Sequence, residues 1–211
     1  MENDRIREII TVLQVLFPKT KTFLNYTKDY ELLFAVILSA QTTDVSVNHV
    51  TEVLFRRFPT LEDYTQDRKE EIEEILKPLG LFKSKAEYLI LTAEKLRKEY
   101  GGNLPKDRNE LMKLPGVGYK TSGVVLAELY DEPYFPVDTH VKRVSVRLGI
   151  VSEKATVKQC EETLEKRFEG CHMIHLHRQF ILFGRNVCTA RNPDCPACPF
   201  ADFCRFHKKR K

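Results

Sequence analysis

Four cysteines near the C-terminus could together bind a metal centre. They follow the pattern C-x6-C-x2-C-x5-C and are Cys188, Cys195, Cys198 and Cys204. Prolines bracket the middle pair and prevent a helix there, and the segment has little apolar content, so a metal would supply its order. Structural zinc sites typically use paired short spacings, whereas this segment has a single CxxC, and thiolate quartets also hold 4Fe-4S clusters. The spacing alone leaves both metals open.

A glycine-rich turn comes directly before a lysine. Residues 114–120 read LPGVGYK, and the two glycines allow positive φ and close backbone approach. Amides at such a turn can bind an anion at the start of a helix, although a plain helix–helix turn also needs glycine. We expect Lys120 in the first turn of that helix, where the dipole and partial burial would favour the neutral, nucleophilic amine. An exposed lysine without a role is the alternative.

Asp138, in the segment PVDTH, has the position of a helix N-cap. If its carboxylate faced Lys120, it could stabilise a developing cation and assist proton transfers. The sequence alone does not show that the two side chains meet.

Helical patterns follow one another along the chain, and sustained period-two patterns are absent from the sequence, so we predict an all-α fold. Helix starts are indicated by Asp107 with Glu110, by Asp138, and by Thr156 with Gln159, and Gly101-Gly102 is a stop signal. The predicted helices cover about 1–20, 29–41, 44–58, 67–76, 83–100, a short helix from 107, 119–130, 138–148, 156 onward and 173–186.

Charge and composition favour a soluble protein with an anionic partner. The 211 residues are 42% hydrophobic and 30% charged, which is enough for a core. From Cys171 to Lys211 there are eight Lys or Arg and two acids, while the rest of the chain is nearly neutral. A basic lobe suits a phosphate backbone, and a solvated tail is the alternative.

The sequence shows neither a secretory signal nor a membrane-spanning run. Residues 1–20 have the spacing of an amphipathic helix, and the longest apolar run, Leu32 to Leu38, is too short to cross a bilayer. We therefore expect a cytoplasmic protein, in which cysteines bind metal rather than form disulfides.

Taken together, three motifs resemble the endonuclease III family of helix-hairpin-helix DNA glycosylases. They are LPGVGYKTSGVVL at 114–126, the aspartate of VDTHV eighteen residues after the lysine, and the cysteine pattern; LSAQTTD at 38–44 fits as well. The resemblance covers almost the whole chain, and it implies that the metal centre is a 4Fe-4S cluster.

The resemblance also implies two helical lobes with a DNA-binding groove between them. A helical barrel would cover residues 21–131 and contain a helix-hairpin-helix at about 107–130. A discontinuous lobe would combine residues 1–20 with 132–211 and carry the cluster loop at 188–204. The implied partner is double-stranded DNA containing damaged bases or abasic sites, and we expect a nucleoid-associated monomer.

By resemblance, residue roles can be assigned position by position. Lys120 would be the nucleophile and Asp138 its carboxylate partner, while Gln41 would fill the hole left by an extruded base and Leu81 would wedge against the opposite strand. The remaining implied DNA-binding residues are Gly116, Val117, Gly118, His140 and Arg191.

The implied reaction is removal of oxidised or ring-fragmented pyrimidines through a lysine imine, followed by β-elimination at the abasic site. One alternative is a monofunctional mismatch glycosylase, but such relatives lack the lysine. Their adenine-removing branch carries a glutamate near the position of Val36, which cannot transfer protons. A non-enzymatic DNA-binding protein on the same scaffold is the other alternative, and it would leave Lys120 and Asp138 idle.

Overall fold

The computed structural model describes residues 2–209, and within that range the chain consists of helices joined by short loops, with no β-strand. This confirms the all-α prediction. Met1, Arg210 and Lys211, the last two of which belong to the basic C-terminal segment, lie outside the described residues. The α-helices are α1 (Glu2–Leu16), α2 (Asp29–Leu38), α3 (Asp44–Arg57), α4 (Lys69–Leu76), α5 (Phe82–Tyr100), α6 (Arg108–Met112), α7 (Tyr119–Tyr130), α8 (Thr139–Leu148), α9 (Val157–Arg167), α10 (Met173–Asn186) and α11 (Arg205–Lys208). Short 3-10 turns occur at Leu61–Asp63, Gln66–Arg68 and Lys77–Leu79.

The chain divides into two compact units. The central unit is Thr22–Tyr130, and the terminal unit combines the chain up to Lys21 with the chain from Asp131 onward. The barrel shape of residues 21–131 and the assignment of residues 1–20 with 132–211 to a second lobe stay predictions.

The core of the central unit is built around α2. This helix is buried on nearly every side, as its almost uniformly apolar sequence predicts, and it packs against α3, α5 and α7. It ends at Leu38, three residues before the predicted end at Gln41. The helix ends there because the backbone turns after Ser39, and Gln41 has a φ of +56°, which a helix does not tolerate.

The predicted helix starts have the expected caps. The Asp107 carboxylate accepts from the amides of Asn109 and Glu110. The Asp138 carboxylate accepts from the amide of Val141 at 2.7 Å, and Thr156 forms a reciprocal capping box with Gln159. Each cap satisfies amides that the helix leaves without a partner, which is why these side chains mark helix starts.

The core of the terminal unit is aromatic. The rings of Phe135, Phe168 and Phe180 meet at centroid distances of 5.5 to 5.7 Å, and all three are fully buried. The N-terminal helix belongs to this unit because Gln179 on α10 donates to the carbonyl of Phe17, just after α1. No helix within residues 2–209 has both the length and the apolar character that crossing a membrane requires.

Candidate functional site

The glycine-rich turn joins α6 to α7 and forms a helical hairpin. Gly116 has a φ of +77°, and a Cβ at this position would lie 2.9 Å from the ring of Tyr88 on α5. The same helix anchors the turn because the hydroxyl of Thr92 donates to the carbonyl of Pro115 at 2.9 Å. Glycine is therefore required at position 116 by both backbone conformation and close packing.

The amides of this hairpin are not all available to an anion. The Val117 N–H donates to the Leu114 carbonyl at 3.1 Å, so this amide already has a partner within the turn. Gly116 and Gly118 are exposed, and they lie where α7 begins. The N-terminus of a helix attracts anions through its unpaired amides and its dipole.

Lys120 is the second residue of α7, in the first turn as predicted. Lys120 is exposed, so our expectation that the protein partly buries this residue is wrong. Arg108 fixes the start of this helix: its guanidinium lies 3.6 Å from the centroid of the Tyr119 ring and donates to the Tyr119 carbonyl at 2.8 Å. A primary amine is thereby presented to solvent from a rigid helix start beside an anion-attracting turn.

Gln41 and Leu81 share two unusual properties. Each has a left-handed backbone, with φ of +56° and +50°, and each side chain is exposed, 59% for Leu81. A left-handed backbone costs a side-chain-bearing residue about 1–2 kcal/mol, and an exposed leucine offers apolar area without covering it. Such outliers cluster at functional sites, so both positions are candidates for contact with a ligand of the central unit.

In the terminal unit, Asp138 and His140 lie at the start of α8. Asp138 is partly exposed and caps the helix, which keeps its carboxylate fixed. The Nδ1 atom of His140 is 3.1 Å from a guanidinium nitrogen of Arg143. Helix α10 approaches this point closely because Gly184 has no side chain; a Cβ there would lie 2.9 Å from the Cβ of His140.

The four cysteines of the predicted metal centre line one cavity. All four are free of disulfides, and the side chains around the same cavity include Leu148, Phe183 and Val187. Burial raises the pKa of the Cys198 thiol, a hydrogen bond with the backbone of Phe200 lowers it, and the charges of Cys188, Cys204 and Cys195 raise it. No group of three or more His, Cys, Asp or Glu side chains in residues 2–209 is arranged to hold a metal ion. Four thiols around one partly apolar cavity are the donor set that an iron–sulfur cluster uses.

Two arginines of α8 hold the start of the cysteine segment. Arg147 donates to the carbonyls of Thr189 at 2.7 Å and Ala190 at 3.0 Å, and to the Sγ of Cys188 at 3.3 Å. Arg143 donates to the carbonyl of Cys188 at 3.1 Å. Arg191 follows these anchored residues and is exposed, as its predicted role requires.

Sequence reasoning missed three groups with structural roles near these positions: Lys85, Arg143 and Arg147. Lys85 is 3% exposed and lies on the buried face of α5, in line with Leu89. Its helical spacing relative to apolar residues was the available signal, since a lysine on such a face must find acceptors inside the protein. The i,i+4 spacing of the two arginines was a weaker signal, because exposed helix faces carry such pairs as well.

Comparison with known proteins defines the class. Residues 34–170 match the model described as "HhH-GPD superfamily base excision DNA repair protein", and residues 188–204 match the "Iron-sulfur binding domain of endonuclease III". Endonuclease III of Bacillus subtilis is 41% identical over 92% of this chain and 89% of its own, and that of Escherichia coli K12 is 40% identical over 96% and 95%. A solved structure described as a "Trapped Endonuclease III-DNA Covalent Intermediate" is 41% identical, with a TM-score of 0.93 over 99% of this chain and 98% of that one.

The chain belongs to the endonuclease III family. Its membership confirms the predicted enzyme class, a base-excision DNA glycosylase that is also an abasic-site lyase, and the predicted 4Fe-4S cluster. The zinc alternative is thereby excluded.

Proposed function

We propose that this protein excises oxidised or ring-fragmented pyrimidines, such as thymine glycol, from double-stranded DNA and nicks the strand at the resulting abasic site, with Lys120 as the nucleophile. The observation that carries the proposal is the exposed position of Lys120 in the first turn of α7, directly after the glycine hairpin. Members of this family act on DNA, and a solved relative is a trapped covalent intermediate with DNA, which supports a covalent mechanism.

The proposed reaction uses the amine of Lys120 as the nucleophile. The damaged nucleotide leaves the base stack, which costs least where pairing is already weakened. Neutral Lys120 attacks the anomeric carbon, the bond to the base breaks, and the base leaves with the electron pair and then takes up a proton. The sugar ring opens to an imine between Lys120 and the sugar. The imine makes the neighbouring C2′ proton acidic, and loss of that proton expels the 3′ phosphate by β-elimination.

Asp138 supplies a carboxylate from the start of α8. We assign to it the stabilisation of the cationic sugar and the proton transfers at the amine. The hydrogen bond with the Val141 amide fixes the carboxylate, so little reorganisation is needed during the reaction. Lys120 belongs to the central unit and Asp138 to the terminal unit.

Three exposed features of the central unit serve DNA binding in this proposal. The amides of Gly116 and Gly118 bind a phosphate of the damaged strand. Gln41 fills the hole that the extruded base leaves, since an amide can replace base-edge hydrogen bonds, and Leu81 unstacks the opposite strand as an apolar wedge. His140 and Arg191 are assigned further contacts with DNA, and the protein acts as a nucleoid-associated cytoplasmic monomer.

The ligands of the 4Fe-4S cluster are, in this proposal, Cys188, Cys195, Cys198 and Cys204, because these four line one cavity. The bound cluster supplies fixed geometry to the segment between Cys188 and Cys195, which contains Arg191. No reaction step needs the cluster, since the amine and carboxylate chemistry is complete without electron transfer.

The products of a thymine glycol duplex test the proposal. The wild-type protein should release the base and leave a strand with a 3′ unsaturated aldehyde, and Lys120→Ala should do neither. Lys98→Met is the matched control, because it removes an exposed lysine that pairs with Glu94 on the surface of α5. Release of base with an intact abasic strand, cut only by later alkali, would instead establish the monofunctional alternative.

A further inference from the structure

Lys85 is a buried cation without a carboxylate partner among the described residues. Only 3% of it is exposed, and its ammonium group donates to the Thr42 hydroxyl at 2.8 Å and to the Leu79 carbonyl at 3.1 Å. Burial lowers the pKa of this ammonium group. An apolar residue would fill a core position at lower cost, since removing a charge from water is expensive unless each donor finds a partner.

The partners of Lys85 belong to two separate loops. Thr42 follows Gln41 in the turn after α2, and Leu79 comes two residues before Leu81 in the turn that leads into α5. The Thr42 hydroxyl itself donates to the Leu79 carbonyl at 2.9 Å. Ammonium, hydroxyl and carbonyl therefore form a closed triangle of hydrogen bonds that joins the two loops.

Each joined loop contains one strained, exposed residue. Gln41 and Leu81 are two of the three side-chain-bearing residues with positive φ that the described part of the chain contains. Strained backbone persists only where surrounding contacts determine it, and the hydrogen-bonded triangle supplies such contacts next to both positions. The charge of Lys85 strengthens these bonds, because hydrogen bonds from an ionised donor are stronger than neutral ones.

We propose that Lys85 and Thr42 form a polar clamp that fixes the Gln41 turn relative to the Leu81 turn, so that both side chains enter the DNA helix at a set separation. Lys85 is then a positioning residue for base extrusion, not a catalytic residue. This inference rests on the proposed function, because it needs Gln41 and Leu81 to occupy the DNA.

The clamp is tested by isosteric substitutions that remove its polar atoms. Lys85→Met keeps the aliphatic stem, and Thr42→Val keeps the shape of the side chain without the hydroxyl. Thr42→Ser restores the hydroxyl and serves as the rescue variant, and Lys98→Met, on the same helix as Lys85, is the charge control. Melting temperature and cluster absorbance are recorded for each, so that a folding defect is recognised.

Two substrates separate positioning from chemistry. Single-turnover base release is measured on a thymine glycol duplex, and strand cleavage is measured on a duplex with a pre-formed abasic site, where no base must be extruded. We expect Lys85→Met and Thr42→Val each to slow base release about tenfold while abasic cleavage changes less than about twofold. Thr42→Ser and Lys98→Met should match the wild type. The double variant should be no slower than the worse single variant, because both remove one shared interaction.

A fluorescent 2-aminopurine opposite the lesion gives a readout that lost stability would not imitate. Wild-type binding should raise its fluorescence as the bases unstack, and both clamp variants should raise it less at saturating protein. Equal slowing on both substrates, an unchanged rate of base release, or Thr42→Val behaving as wild type would overturn the clamp. If the wild type itself releases no base, the proposed function fails instead, and the two failures are thus distinguishable.

Discussion

The hairpin of the central unit and the cysteine segment of the terminal unit are both irregular pieces of chain, but different forces hold them. Two contacts with α5, a helix with a buried apolar face, fix the hairpin. Gly116 packs against the Tyr88 ring, and the Thr92 hydroxyl donates a hydrogen bond to the Pro115 carbonyl. The cysteine segment buries little apolar surface: Phe200, Phe203 and Cys204 are its buried members. Its other contacts include thiols around a cavity and hydrogen bonds from arginines to backbone carbonyls.

The difference teaches that the two regions should fail in different ways. The hairpin is fixed by close packing, so added atoms should destabilise it. The cysteine segment is fixed by a cluster and by charged hydrogen bonds, so the loss of a ligand or of a hydrogen-bond donor should destabilise it. Four predictions test this contrast, and they follow in order of decreasing effect on the free energy of unfolding.

Removal of one cluster ligand should have the largest effect. Cys198→Ser should cost the terminal unit about 3 kcal/mol or more and weaken DNA affinity at least about tenfold, because the segment has little other core. Denaturant unfolding, cluster absorbance and DNA titration measure these quantities. Cys171→Ser is the matched control, since Cys171 lies outside the cavity. A cluster-free Cys198→Ser protein with normal stability and affinity would contradict the contrast.

Loss of the arginine anchor should come next. Arg147→Met leaves the carbonyls of Thr189 and Ala190 without their donor and should cost about 2–3 kcal/mol, with faster loss of cluster absorbance in air. The control is Lys142→Met, which removes a positive charge from the same helix. Equal cluster lifetimes in the two variants would show that the arginine does not stabilise the segment.

A single added methyl group should distinguish the two glycines of the hairpin. Gly116→Ala should cost about 1–2 kcal/mol, because φ is +77° and the new Cβ would meet the Tyr88 ring. No atom lies within 4 Å of a Cβ at Gly118. The free energy of unfolding of Gly118→Ala should therefore lie within about 0.5 kcal/mol of the wild-type value. Chemical denaturation compares the pair, and similar stabilities would mean that shape does not fix the hairpin.

The smallest effect on stability is expected at Asp138, where two substitutions separate the cap from the charge. Asp138→Ala should cost about 1 kcal/mol, and Asp138→Asn should cost less than about 0.5 kcal/mol, because asparagine also caps helices. Both should slow base release strongly, since neither keeps the carboxylate. An active Asp138→Asn enzyme would restrict this residue to capping.

Features of the fold that depend on contacts between residues close in the chain were predictable from the sequence. The caps at Asp107, Asp138 and Thr156 were correct because a cap is a contact across three residues. The end of α2 was wrong by three residues, since the left-handed backbone of Gln41 is stabilised by surrounding contacts that no local pattern reveals.

Some properties of the candidate site were likewise predictable from the sequence, and others were not. Lys120 and the four cysteines could be proposed from the sequence because their motifs are short and specific. The structure also shows that Lys85 is buried and that Lys120 is exposed. Both properties depend on tertiary packing, which residue type and spacing do not encode.

The central claim is that Lys120 forms an imine with the sugar, and borohydride trapping tests it most directly. The purified protein is mixed with a thymine glycol duplex, and in parallel with an abasic duplex, in the presence of borohydride, which reduces an imine to a stable amine. The account predicts a covalent protein–DNA adduct with the wild type, with peptide mapping to Lys120, and none with Lys120→Ala. Base release by the wild type without any adduct, or an adduct that persists in Lys120→Ala, would contradict it.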